Sequence, residues 1–216
     1  MDRKVLNSWK YYFSNKSNFN RFILTVFIFI IITFLFKEYL TLVESWDHNL
    51  GIYNDPFFLK DPLDLSVPIF IFTYGSIIFF ITFHLNYPEK IVQLIQLAIL
   101  VDLFRVISLF FVRLDAPEMI PLNDPILNYL IYESDPKTTL YNQHDLFFSG
   151  HIANLFIISI LFKRNLLRNI FLFITFLTGV FLVLQKVHYS IDVIFAPFIA
   201  WVIIYIHNNF FFNSNK

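Results

Sequence analysis

Long apolar stretches alternate with short polar breaks along most of the chain. The apolar runs fall at residues 22–43, 67–85, 91–112, 147–162, 169–187 and 188–207. At about 1.5 Å of rise per residue, runs of this length cross a hydrocarbon core of roughly 30 Å as helices. The pattern predicts an all-α, polytopic membrane protein with six transmembrane helices. Its breaks read as loops: an acidic, proline-containing segment at 44–66, a turn at Tyr87-Pro88-Glu89-Lys90, and a longest loop at 113–146. Residues 186–188 leave room only for a tight connection between the last two runs.

Residues 1–21 differ from the rest. Arg3, Lys4, Lys10, Lys16 and Arg21 are interleaved with Val5, Leu6, Trp9, Tyr12 and Phe13 at helical spacing, the pattern of a short helix lying on the inner leaflet. The charged part is too long for a cleaved signal peptide, and no small-residue cleavage site follows it. The expected organisation is a basic interfacial segment at 1–21, a six-span catalytic domain at 22–207 and a tail at 208–216.

Charge then orients the bundle. With the N-terminus inside, the inner segments hold ten Lys and Arg (those five, Lys90, Lys163, Arg164, Arg168 and Lys216). The outer loops hold four, Lys60, Arg113, Lys137 and Lys186. The positive-inside rule therefore places both termini in the cytoplasm. Composition narrows the chemistry: 57% of residues are hydrophobic, only 15% are charged, and the net charge is zero, so nothing favours nucleic acid. Absence of cysteine excludes disulfides, thiolate nucleophiles and Cys-based metal sites, and with four glycines there is no phosphate-binding glycine loop.

Two polar stretches interrupt the apolar pattern where chemistry is possible. One is His144-Asp145-Leu146-Phe147-Phe148-Ser149-Gly150-His151, and the other is His188-Tyr189-Ser190-Ile191-Asp192. In the predicted topology both open onto the outer face, because spans four and six each enter from that side. His188 and Asp192 stand four apart at a helix start, where the carboxylate can accept from one ring nitrogen, fix the tautomer and leave the other nitrogen to attack. Ser149 and Gly150 lie where first-turn N–H groups can bind an anion. His151 is placed to act as general acid, with Asp145 or solvent tuning its proton. Within span three, Asp102 and Arg105 share a helix face, and Arg105 is either a phosphate ligand or the structural partner of Asp102. A zinc site from His144, His151, His188 and Asp192 is the metal alternative, but its spacing fits no closed tetrahedral site, and no metal or other cofactor is expected.

The two stretches resemble the signature motifs of the sphingomyelin synthase family, a branch of the type 2 phosphatidic acid phosphatase superfamily. The likeness covers roughly residues 60–205. It extends more weakly to Asp61-Pro-Leu-Asp64 and to Arg105 followed by Leu114-Asp115-Ala-Pro117. It implies a catalytic set of His151, His188 and Asp192, with His188 attacking phosphorus, Asp192 orienting it and His151 serving the leaving and then the accepting oxygen. The implied partners are membrane lipids: a phospholipid donor, and ceramide, diacylglycerol or water as acceptor. Where other superfamily phosphatases carry a proline before Ser-Gly-His and a Ser-Arg pair before the second histidine, this chain has Phe148, and Phe181 with Leu182. Arg105 is the candidate replacement for the missing arginine, with Asp145, Ser149 and Gly150 completing the substrate-binding set. The expected activity is phospho-head-group transfer through a phospho-histidine. Its rivals are lipid phosphate hydrolysis and a catalytically inactive lipid-binding role. The expected location is a bacterial inner membrane with the site facing the periplasm.

Overall fold

The computed structural model describes residues 3–46, 54–122 and 143–212. Asp47, the acidic and proline-rich part of the long loop at 123–142, and Lys216 lie outside the described residues. The elements are α1 (Arg3–Ser14), α2 (Lys16–Glu44), α3 (Ser66–Phe83), α4 (Pro88–Phe111), α5 (Gly150–Leu161), α6 (Asn165–Leu184) and α7 (Ser190–His207), the last continued by a π-helical turn, Asn208–Phe212. Among the described residues there is no strand.

Local chemistry sets the element ends. Asn15 caps α2, its side chain accepting from the Ser17 N–H at 2.9 Å. Pro88 opens α4 at the first helical position, where its missing N–H costs nothing. Gln185 closes α6 and Lys186 follows in the left-handed region at φ 58°. Val187 N–H then returns to Leu182 O and Lys186 N–H to Val183 O, both at 3.0 Å. That turn delivers the tight connection to α7 which the sequence demands.

Five helices, α2, α3, α4, α6 and α7, are long and apolar enough to cross a membrane. The predicted fourth span is the exception. Its helix covers only Gly150–Leu161, 12 residues, or about 18 Å, well short of a hydrocarbon core. Residues 147–149 at the start of that run are not helical, because their backbone is engaged elsewhere: Phe147 O accepts from Ser108 Oγ at 2.9 Å, and Ser149 N–H donates to Asp192 O at 3.3 Å. Such backbone is tolerated at membrane depth only inside protein, and α5 is enclosed by protein. It packs against α3, α4, α6 and α7, with Ile152, Ala153, Leu155, Ile157, Ile158 and Leu161 buried. At the periphery α2 rests on α4 and α1 and turns Phe27, Ile30 and Phe34 outward, each at least 60% exposed, as lipid-facing side chains are.

The up-and-down order gathers the starts of α3, α5 and α7 and the ends of α2, α4 and α6 at one end of the bundle. One side chain joins the segments 54–65 and 112–122 to each other over that end. Gln185, fully buried, accepts from Leu65 N–H at 3.0 Å through Oε1 and donates through Nε2 to Ser66 Oγ at 2.9 Å and Ile120 O at 3.0 Å.

Candidate active site

The second motif is built at the entrance to α7, and its geometry differs from the expected helical pair. Tyr189 is the N-cap and α7 begins at Ser190, so His188 stands before the helix and not on its first turn. Asp192, at the third helical position, turns Oδ2 back to accept from Tyr189 N–H at 3.0 Å. That capping bond holds the carboxylate off the imidazole, and His188 Nδ1 lies 3.7 Å from Asp192 Oδ2, beyond hydrogen-bond length. Both side chains are buried, 3% and 0% exposed.

Neighbouring segments fix this entrance from outside. The fully buried Tyr189 donates its hydroxyl to Asp115 O at 2.8 Å and stacks on Phe58 with ring centroids 5.4 Å apart. Asp55, 3% exposed, accepts from Ser190 N–H at 2.5 Å and from Phe57 N–H at 2.9 Å. A carboxylate on first-turn N–H groups is favoured by both hydrogen bonding and the helix dipole. Neither Asp55 nor Tyr189 stood out in the sequence, where Asp55 was one acidic loop residue among several.

The first motif meets the second through backbone, since Ser149 N–H donates to Asp192 O across 43 positions of sequence. Gly150 then opens α5 with the Arg105 guanidinium laid against it. A Cβ at residue 150 would stand 2.7 Å from Arg105 Nη1, 2.9 Å from Cζ and 3.1 Å from Nε, so glycine is what lets the guanidinium lie this close. Arg105 also pairs with Asp145 of the same motif and lies over the Phe36 ring, 4.8 Å from its centroid. Among the described residues it forms no ion pair with Asp102. The arginine, nearly five turns up α4, thus reaches the start of α5, where first-turn N–H groups already favour an anion.

His151, at the second position of α5, is half-buried with its ring edge-on to Phe70 at 6.2 Å. His144 is held away from the pair by Glu44 at the end of α2, which accepts from its N–H at 2.9 Å and meets its Nδ1 at 2.6 Å. The four side chains of the zinc alternative are therefore not gathered, and among the described residues no three His, Asp or Glu side chains form a metal-binding group.

Four buried polar atoms lack a hydrogen-bond partner here: Ser149 Oγ, Arg105 Nε, His188 Nδ1 and Asp192 Oδ1. Buried polar atoms are nearly always paired, and these four exceptions fall together where the two motifs meet.

Fold and site together define a multi-pass helical membrane protein that holds a histidine–aspartate pair and an arginine beside a helix N-terminus. Residues 144–209, which contain both motifs, match the family model described as PAP2 superfamily C-terminal. That match supports the type 2 phosphatidic acid phosphatase superfamily, whose members are in general phosphatases and phosphotransferases. A comparison with curated proteins gave no match.

Proposed function

We propose that this chain is a lipid phosphotransferase resembling the sphingomyelin synthases, moving a phospho-head-group between lipids through a phospho-histidine on His188. Asp192 lies on the Nδ1 side of the imidazole, 3.7 Å away, and closes on that nitrogen as the ring takes up positive charge, so Nε2 is the attacking atom. Nε2 forms a bond to phosphorus as the P–O bond to the donor lipid breaks, and His151 gives its proton to the departing alkoxide. The acceptor hydroxyl then loses its proton to His151 and attacks phosphorus, and the N–P bond breaks to restore His188. Arg105 and the first N–H groups of α5 carry the phosphate charge, with the Asp145 carboxylate displaced from the guanidinium as phosphate arrives.

The observation that carries this reading is the junction itself, in which Ser149 N–H reaches Asp192 O while Arg105 lies against Gly150. Burial of the His188–Asp192 pair favours a lipid hydroxyl over water as acceptor, because exclusion of water protects a reactive phospho-enzyme from hydrolysis. The donor is a phospholipid and the acceptor ceramide or diacylglycerol.

The proposed topology is six crossings, counting the short α5 as one traversal of the protein interior, with both termini cytoplasmic. The motif end then faces the periplasm of a bacterial inner membrane. Because the chain has no cysteine, single replacements report sidedness. Lys60→Cys is expected to react with an impermeant maleimide in intact cells, and Lys163→Cys only after permeabilisation; the reverse pattern inverts the topology.

The activity test is incubation of purified protein with phosphatidylcholine, phosphatidylethanolamine or phosphatidate, with and without ceramide and diacylglycerol. A new acceptor-dependent phospholipid is expected without phosphate release, together with an acid-labile, base-stable phospho-enzyme that His188→Ala lacks. Phosphate release needing no lipid acceptor makes the protein a phosphatase, and products unchanged in His188→Ala refute the catalytic assignment.

A further inference from the structure

The end of the bundle opposite the histidine motifs carries a polar construction that the proposed chemistry does not use. Here α1 folds back beneath the membrane helices, pinned where Trp9 Nε1 donates to Leu85 O at 3.0 Å in the α3–α4 turn. Between α1, the first turns of α2 and that turn lies a cavity of about 370 Å³, lined by Tyr11, Tyr12, Asn18, Arg21, Asn86 and Glu89 among others.

Its walls have opposite chemistry. On α2, Asn18 and Arg21 stand three residues apart and present amide and guanidinium donors from one helix face. Across from them, Asn86 and Glu89 come from the α3–α4 turn and the start of α4. The Asn86 Oδ1 is a buried acceptor with no hydrogen-bond partner, and Glu89 adds an exposed carboxylate. Tyr12 senses both walls: burial raises the pKa of its hydroxyl, Arg21 pulls it down and Glu89 pushes it up. One wall therefore suits an anion, and the other suits a cation that donates hydrogen bonds.

We propose that this cavity binds the headgroup of a phospholipid carrying both a phosphate and a primary ammonium, as in phosphatidylethanolamine, on the leaflet opposite the catalytic motifs. Free phosphate uses only the Arg21 wall and places its charge near Glu89. A quaternary ammonium keeps its charge behind methyl groups and gives no N–H to the Glu89 carboxylate, and a glycerol headgroup leaves Glu89 without a counter-charge. The site is mechanically connected to the bundle. Arg21 Nη2 donates to Gln96 Oε1 at 2.9 Å, and Gln96 also receives His207 Nε2 at 3.0 Å and reaches Thr25 Oγ1 at 3.0 Å. One polar chain thus joins the cavity to α2, α4 and α7.

The test is lipid retention by the full chain. Delipidated protein is offered equimolar phosphatidylethanolamine, phosphatidylcholine and phosphatidylglycerol in mixed micelles, and retained lipid is counted by native mass spectrometry. Phosphatidylethanolamine is expected to be enriched about tenfold over the others, the scale of one charge-assisted contact. Glu89→Lys, a change at an exposed position, is expected to abolish that enrichment and turn the preference to phosphatidylglycerol, while Arg105→Ala at the catalytic end leaves it intact. Equal retention of all three lipids overturns the proposal, as does an unchanged preference in Glu89→Lys. Loss of retention in Arg105→Ala also overturns it, by assigning the lipid to the catalytic site. Inorganic phosphate that raises the unfolding temperature as much as phosphatidylethanolamine reduces the site to a simple anion pocket and likewise refutes it.

Discussion

Replacing Gly150 by alanine tests the proposed site with one methyl group. The added Cβ would meet Arg105 Nη1 at 2.7 Å and Cζ at 2.9 Å, where ordinary contact begins at 3.4 Å. The guanidinium must therefore retreat by about 0.7 Å or more, which the end of a flexible side chain does without unfolding the protein. At the first turn of a helix, alanine is intrinsically favoured over glycine by up to about 1 kcal/mol. Thermal stability is thus expected to hold or rise slightly while turnover falls by roughly 10- to 100-fold, the usual consequence of a misplacement approaching 1 Å at a reacting group. The assay is the initial rate of lipid product formation alongside thermal unfolding. Two other glycines serve as controls. Gly75 has nothing within 4 Å of a new Cβ, so Gly75→Ala should match the parent in both measurements. At Gly179 the Cβ would stand 2.7 Å from Val193 Cγ1 on α7, so Gly179→Ala should lose about 1–3 kcal/mol of stability by overpacking. Parental turnover in Gly150→Ala, with Arg105→Ala inactive but folded, would refute the claim that the guanidinium works from its place against residue 150.

Other positions carry narrower tests. Asp55→Ala removes the acceptor for Ser190 and Phe57 N–H and should cost about 1–2 kcal/mol, with turnover falling through displacement of His188; a chemical-denaturation midpoint equal to the parent's would show that the α7 entrance is held by other contacts. Asp145→Asn removes the negative charge that faces Arg105, and inhibition by orthovanadate should strengthen about tenfold; weaker inhibition would make Asp145 a direct substrate ligand. His84 caps α3 among the Phe80, Phe83 and Phe162 rings, and its pKa is lowered, first by burial and further by Lys90. Its folded pKa lies below the unfolded value of about 6.5, so the unfolded chain takes up the proton first. Stability is complete above that value and declines as pH falls below it. The difference in melting temperature between pH 7.5 and pH 5.5 should shrink in His84→Phe, and an unchanged difference would place the acid sensitivity elsewhere.

The membrane class and five of the long helices were legible because lipid imposes length and hydropathy on anything that crosses it. The predicted six-span count was not legible to the same degree. Residues 147–162 are apolar because protein surrounds them, and apolarity alone does not distinguish protein from lipid as the neighbour. Both histidine motifs were visible as polar islands in apolar sequence, and their arrival at one end followed from the alternation of spans. Their fine geometry was hidden. Four-residue spacing suggested that His188 and Asp192 share a helix face, but Tyr189 caps the helix between them and takes the carboxylate oxygen. Arg105 was visible as a charge within a span, whereas its choice of Asp145 over Asp102 depends on how α4 meets α5. Asp55 and Gln185 gave no signal, since their work is to bond backbone groups distant in sequence.

The short α5 also has a consequence for how the protein is made. A helix of 12 residues is too brief to be held in a bilayer by its own hydrophobicity, so it settles only when α3, α4, α6 and α7 stand around it. The first turn of α5, where Arg105 lies against Gly150, is therefore one of the last parts to find its place. A chain still leaving the ribosome, or released half inserted, carries the residues of both histidine motifs without the junction between Ser149 and Asp192 that joins them.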